Sequence, residues 1–327
     1  MKKILTLLIF VCFASFSFSQ FSENSISENK CNRSFTLKTP NRSAKSTVLM
    51  NKYDVKFYWL NINLERTSTY ISGNVTINAK VQNAALDTFE VELVTQLTID
   101  SAKINGVICP VTHTTNFADI KLASALPVGS DVSAQIFYHG TPPSGGFFSG
   151  ISHGTSPSWG NEVVWTLSEP FNANQWWPCK QELTDKADSS WVFVTTANTN
   201  KVGSNGLLEN IVAVPGNKYR YEWKSRNPID YYLISVAVAK YVDYTIYCHP
   251  AGVDSLMIQN YIYDNPSTLP YFKDIIDSTA EMIELYSQLY GPYPFGNEKY
   301  GHSMAPLGGG MEHQTMTTLG SFSFMLV

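Results

Sequence analysis

Gly309-Gly310-Met311-Glu312-His313 joins two glycines, a thioether, a carboxylate and an imidazole in one short run. Residues without a β-carbon let another backbone come close. The acid that follows sets a charge beside that approach, and Pro306 and Leu307 stiffen the way in. A glycine-rich turn followed by an acid is a common loop pattern. The stretch therefore takes its meaning from the segments around it.

Just upstream the pattern is helical. Phe272, Ile275, Ile276, Met282, Ile283, Tyr286, Leu289 and Tyr290 recur at helical spacing, which predicts a helix over about 269–290. Pro270 stands near its start and Gly291-Pro292 ends it. Its broad apolar face belongs against a core, and no chemistry is assigned to it. Leu289-Tyr290-Gly291-Pro292-Tyr293-Pro294-Phe295 then leads toward the glycine run. Far upstream stand Trp165-Thr166-Leu167-Ser168-Glu169-Pro170 and Trp176-Trp177-Pro178-Cys179-Lys180.

The rest is written in strands. Tyr53, Val55 and Phe57 alternate with polar residues, and the phase then shifts to Tyr58, Leu60, Ile62 and Leu64, which predicts a bulge in a long strand. Val75, Ile77, Ala79 and Val81 keep a period of two. Further short strands are expected around Phe89–Leu93, Leu97–Ile99, Ile104–Ile108, Val132–Tyr138, Val163–Trp165, Trp191–Thr196, Leu207–Val214, Tyr219–Trp223 and Tyr232–Val238. Asn105-Gly106 is a hairpin-turn signal. Residues 140–160, rich in Gly, Ser and Pro, read as a loop. Short alternating strands separated by turns predict a mainly β chain, with an antiparallel sandwich in its first part.

Composition sets the outer limits. The chain has 327 residues, 44% apolar and 15% charged, enough to bury the cores of two domains. Its net charge of −4 comes without a basic run, so nucleic acid is not an expected partner. Lys2 and Lys3 before the apolar stretch Ile4–Phe16 mark a signal peptide over 1–19, and export to the periplasm or beyond is expected. Residues 20–48, rich in Ser, Asn, Lys and Thr, read as a poorly ordered leader. No later apolar run is long enough to span a membrane. Cys31, Cys109, Cys179 and Cys248 are widely spaced and do not suit a metal cluster; export permits disulfides whose pairing the spacing does not give, and small buried thiols are the simpler reading.

Taken in order, the helix, Tyr-Gly-Pro-Tyr-Pro-Phe, Gly-Gly-Met-Glu and the final apolar run Phe322–Val327 resemble the M1 family of zinc aminopeptidases, the gluzincins that include aminopeptidase N. The resemblance covers about 53–327. It implies an N-terminal antiparallel β-sandwich or saddle domain over 49–243, then the truncated start of an α+β thermolysin-like metallopeptidase domain over 244–327. It also implies removal of N-terminal residues from peptides. Glu312 and Glu169 would grip the substrate's free ammonium group, Gly309 and Gly310 would hold its backbone as an added strand, and Met311 would wall a side-chain pocket. A free ammonium carries three donors and a charge, and it is costly to dehydrate without acceptors. His313 stands where the family has Asn. It either tunes Glu312 or is a neutral exchange, and the sequence does not choose.

Zinc would serve the complete enzyme, but its H-E-x-x-H ligands are absent here. None of the six histidines stands four positions from another. The resemblance places that motif beyond Val327, in a missing C-terminal part of the same protein, and the chain alone is expected to be inactive. An alternative reading is a non-catalytic β-sandwich module, or a degenerate peptidase, in which Trp159, Trp165, Trp176 and Trp177 line a peptide or carbohydrate groove.

Overall fold

The structure is a computed structural model that describes residues 47–143 and 149–320. The expected signal peptide, nearly all of the leader, Cys31 and the run Phe322–Val327 lie outside the described residues.

The alternation at Tyr53 becomes a strand of 13 residues, Tyr53–Glu65, whose buried side is Tyr53, Val55, Tyr58, Leu60, Ile62 and Leu64. The phase shift is a register break between Val55 and Phe57 against the neighbouring strand Ser68–Val81. These two strands centre an eight-stranded sheet. In order it runs Leu207–Val214, Lys218–Ser225, Ser189–Ala197, Tyr53–Glu65, Ser68–Val81, Asp131–Gly140, Leu97–Ile104 and Val107–Cys109. The Asn105-Gly106 turn has both residues at positive φ, +50° and +83°, as a tight hairpin between twisted strands requires. A three-stranded antiparallel sheet, Leu86–Glu92, Phe117–Leu126 and Val111–His113, adds Phe89, Val91 and Ile120 to the core.

A four-stranded antiparallel sheet holds Lys201–Ser204, Val236–Ala239, Glu162–Leu167 and Gly150–Thr155. Its last member falls in the region expected to be loop. Gly150-Ile151-Ser152-His153-Gly154-Thr155 has no apolar alternation, and its pairing with Glu162–Leu167 makes it a strand. The strand expected at Tyr232–Val238 starts later, at Val236, because Tyr231–Leu233 forms a 3-10 turn.

The last sheet has five strands: Tyr241–Cys248, Leu256–Tyr263, Lys299–Met304, Thr317–Leu319 and Gly310–Met311. Leu256–Tyr263 and Lys299–Met304 run parallel, and the helix Thr268–Tyr290 bridges them. Parallel neighbours need a long crossover, which explains the helix at this point in the chain. Phe272 and Ile276 bury its inner side. Architecturally the molecule is mostly β, with antiparallel pairing dominant and parallel pairs at three places.

Trp176 and Trp177 are 0% exposed. The Trp176 indole N–H donates to Ser168 Oγ at 2.9 Å, and Trp177 meets Tyr58 edge to face at 4.8 Å. Both fill the core and Trp165 is buried as well, so these three rings do not line a groove; Trp159 is half-buried and meets Phe272 edge to face at 5.7 Å. Cys109, Cys179 and Cys248 are buried and form no disulfide among the described residues.

Candidate functional site

Glu169 lies two residues past the end of strand Glu162–Leu167, at the head of a tight turn. Ser168 O accepts from Asn172 N at 3.0 Å, and Asn172 Nδ2 reaches Glu169 O at 3.4 Å. The Trp176 bond to Ser168 ties this turn to the core. Glu169 itself is half-buried.

The glycine run approaches from the five-stranded sheet. Pro306 lies against the four-stranded sheet, where its Cγ would stand 3.5 Å from a β-carbon built on Gly154. Gly309 has φ +148°, a backbone shape that other residues rarely take, and no atom lies within 4 Å of where its β-carbon would be. Gly310–Met311 is the terminal strand of its sheet and pairs on one side only, with Thr317–Leu319. Among the described residues its other edge pairs with no strand, the arrangement that strand addition uses. Met311 is buried and Glu312, next along the chain, is exposed.

His313 turns inward. Its ring is 1% exposed and Nδ1 lies 2.9 Å from Thr318 Oγ1, while Nε2 has no hydrogen-bond partner. Burial pushes its pKa down to about 3, so the ring is neutral at pH 7. Glu312 and His313 thus face opposite sides of the backbone.

Near both acids stands a residue that the sequence did not single out. Tyr232, in the turn Tyr231–Leu233, is half-buried, and its phenol pKa is raised by burial and then by Asp230, Glu312 and Glu169. Glu312 and Glu169 are thus both within electrostatic reach of one phenol, with burial the larger cause. Chain contacts support this closeness. Tyr231 OH donates to Pro170 O at 2.5 Å, beside Glu169, and Asn205 Nδ2 donates to Leu233 O at 2.9 Å and to Gln314 O at 2.6 Å, two residues past Glu312. Glu169, Tyr232 and Glu312 are thus linked through the backbone of Pro170, Leu233 and Gln314, and Gly309 and Gly310 lie in the segment that carries Glu312.

The described residues do not fit zinc. No group of three or more His, Cys, Asp or Glu among them could hold a metal ion. His302 is buried with Nδ1 2.7 Å from Asn260 Oδ1, and His113, His139 and His249 each engage a carbonyl or carboxylate. An apolar groove of about 480 Å³, lined by Ile275, Met282, Tyr286, Tyr290, Tyr300 and Leu319 among others, runs along the helix and includes neither Glu169 nor Glu312.

Solved structures share this architecture. An M1 zinc metallopeptidase variant from Deinococcus radiodurans, bound to a Tyr-Ser-Ala substrate, superposes with a TM-score of 0.70 over 84% of this chain at 23% identity. The fold is that of the M1 zinc metallopeptidases. A two-domain M1 zinc metallopeptidase variant bound to L-arginine gives a TM-score of 0.69 over 83% of the chain, and the Deinococcus radiodurans M1 enzyme gives 0.68 over 82%, both at 23% identity. The chain spans 62% of the length of the first of these M1 structures. No family model and no curated protein matches the sequence. The mostly β architecture, with its several antiparallel sheets, matches that of these M1 structures.

Proposed function

We propose that this chain is the N-terminal portion of an exported zinc aminopeptidase and supplies the half of the site that grips the free amino terminus of a peptide. What supports the reading is the set of contacts that ties the Glu312 segment to the turn Tyr231–Leu233 and that turn to Pro170, beside Glu169, with Gly309 and Gly310 in the same segment as Glu312. The substrate ammonium sits between the two carboxylates and its backbone lies along the glycine edge. Met311 and His313 stay beneath the surface, and His313 steadies the turn through Thr318. The boundary near residue 243 belongs to the same reading, since Tyr241–Cys248 opens the five-stranded sheet. Zinc, when bound by the complete enzyme, polarises the scissile carbonyl and acidifies a water. The residues described here bind and orient; they do not cut.

Charge-assisted contacts of this kind are worth roughly 1.5–3 kcal/mol each. Calorimetric titration with Tyr-Ser-Ala and its N-acetylated form tests the reading. The free amine is expected to bind at least about tenfold tighter, and Glu312→Gln or Glu169→Gln to remove that preference. Equal affinity for the acetylated peptide would overturn it. The purified 327-residue chain is also expected to release no p-nitroaniline from alanine p-nitroanilide, with or without added zinc.

A further inference from the structure

Asn205 sits in the turn between strands Lys201–Ser204 and Leu207–Val214 and is 1% exposed. A carboxamide has two protons to give and two lone pairs to fill, and here all four are in use. Nδ2 donates to Leu233 O at 2.9 Å and to Gln314 O at 2.6 Å. Oδ1 accepts from Ser235 N at 2.8 Å and from Ser235 Oγ at 3.3 Å. Aspartate would lack the donors and leucine would lack everything, so the pattern is specific to this amide.

The two carbonyls it holds belong to different parts of the candidate site. Leu233 adjoins Tyr232, and Gln314 follows Glu312 by two residues. The loop that carries Asn205 is itself rigid. A β-carbon at Gly206 would stand 2.1 Å from Lys224 O, and Gly206 N donates to Thr315 Oγ1 at 2.8 Å. Thr315 takes φ +64°, and its carbonyl accepts from the buried Lys299 Nζ at 2.8 Å. The far side of the same turn is held by Tyr231 OH on Pro170 O.

We propose that Asn205 is a positioning residue that sets the Glu312 turn against Tyr232 and, through that segment, against Glu169. It touches no ligand. It fixes the spacing of the two carboxylates by gripping both backbones in one planar group. The proposal rests on the amine-binding reading above and deepens it.

Two readouts test it: the affinity ratio of Tyr-Ser-Ala over its N-acetyl form, taken well below the melting temperature, and the titration of the Tyr232 phenol by ¹³Cζ-tyrosine NMR, assigned with Tyr232→Phe. Asn205→Ala is expected to shrink the ratio about fivefold or more, the scale of one lost hydrogen bond. It should also move the Tyr232 titration downward, in the same direction as Glu312→Gln. A variant that only loosens the core would leave both values unchanged in the folded fraction. Where Asn205→Ala does not fold, Thr315→Val releases the same turn through Gly206 and is expected to produce a smaller shift of the same sign. A folded Asn205→Ala with wild-type ratio and titration overturns the proposal, as does an unmoved titration in Thr315→Val or in Glu312→Gln. If the wild type shows no amine preference, the amine reading fails, and the Tyr232 titration alone decides whether Asn205 sets Glu312.

Discussion

His302 and His313 are imidazoles that burial keeps neutral, with pKa values pushed down to about 4 and about 3. In the unfolded chain both titrate near the ordinary value of about 6.5. Below that pH the unfolded state takes up protons that the folded state refuses, so their contribution to stability is complete above about 6.5 and is lost as pH falls through 4 and 3. Urea unfolding between pH 7 and 4 should show the midpoint falling, and the slope should be shallower in a His302→Gln, His313→Gln double variant. Lys299 acts at the other end of the scale. Burial lowers it to about 7, so the unfolded chain holds the extra proton above that, and stability from this group rises from about pH 7 toward 10.5. Glu169 and Glu312 were legible through their motifs. Tyr232 and Asn205 were not, since a tyrosine beside another tyrosine and an Asn-Gly turn are ordinary in any β protein. The partners of Asn205 lie 28 and 109 positions away, so no local spacing could announce them.

Among the elements, the helix and the glycine strand carry the sharpest expectations. The helix Thr268–Tyr290 was plain from its period, and its end at Gly291-Pro292 is where the backbone turns to φ +100°. Its far end leaves Tyr286, Leu289 and Tyr290 exposed, at 57%, 61% and 83%, beside the apolar groove. An apolar patch of this kind binds hydrophobic dyes and favours self-association. Leu289→Ser with Tyr290→Ser is expected to lower anilinonaphthalene sulfonate fluorescence without lowering the melting temperature. The edge strand Gly310–Met311 has a different vulnerability. Gly309→Ala meets no protein atom within 4 Å, yet it must hold φ +148°. It should cost about 1 kcal/mol or somewhat more in stability, and a larger loss in affinity for a peptide lying along that edge. Comparing urea midpoints with calorimetric affinities separates the two. The strand Gly150–Thr155 escaped the sequence reading because edge pairing, not side-chain alternation, makes it a strand.

Over the whole molecule, the core around Trp176 and Trp177 joins the large sheet to the Glu169 turn: Tyr138 OH donates to Trp176 O at 3.0 Å and Tyr58 packs on Trp177. Trp176→Ala removes that support and the bond to Ser168, and should destabilise by about 3–5 kcal/mol in urea unfolding. By itself the sequence determined the β-rich class, the long helix Thr268–Tyr290, the bulge in Tyr53–Glu65, the turn at Asn105-Gly106 and the M1-like order of motifs. Each of these is written in neighbouring residues, by periods of two or 3.6 and by turn chemistry. The tertiary structure alone decided that Asn205 ties the segment after Glu312 to the turn of Tyr232, that His313 faces inward away from Glu312, and that the paired tryptophans are core. Those outcomes depend on hydrogen bonds and burial between residues far apart in the chain, and a linear pattern does not carry that information.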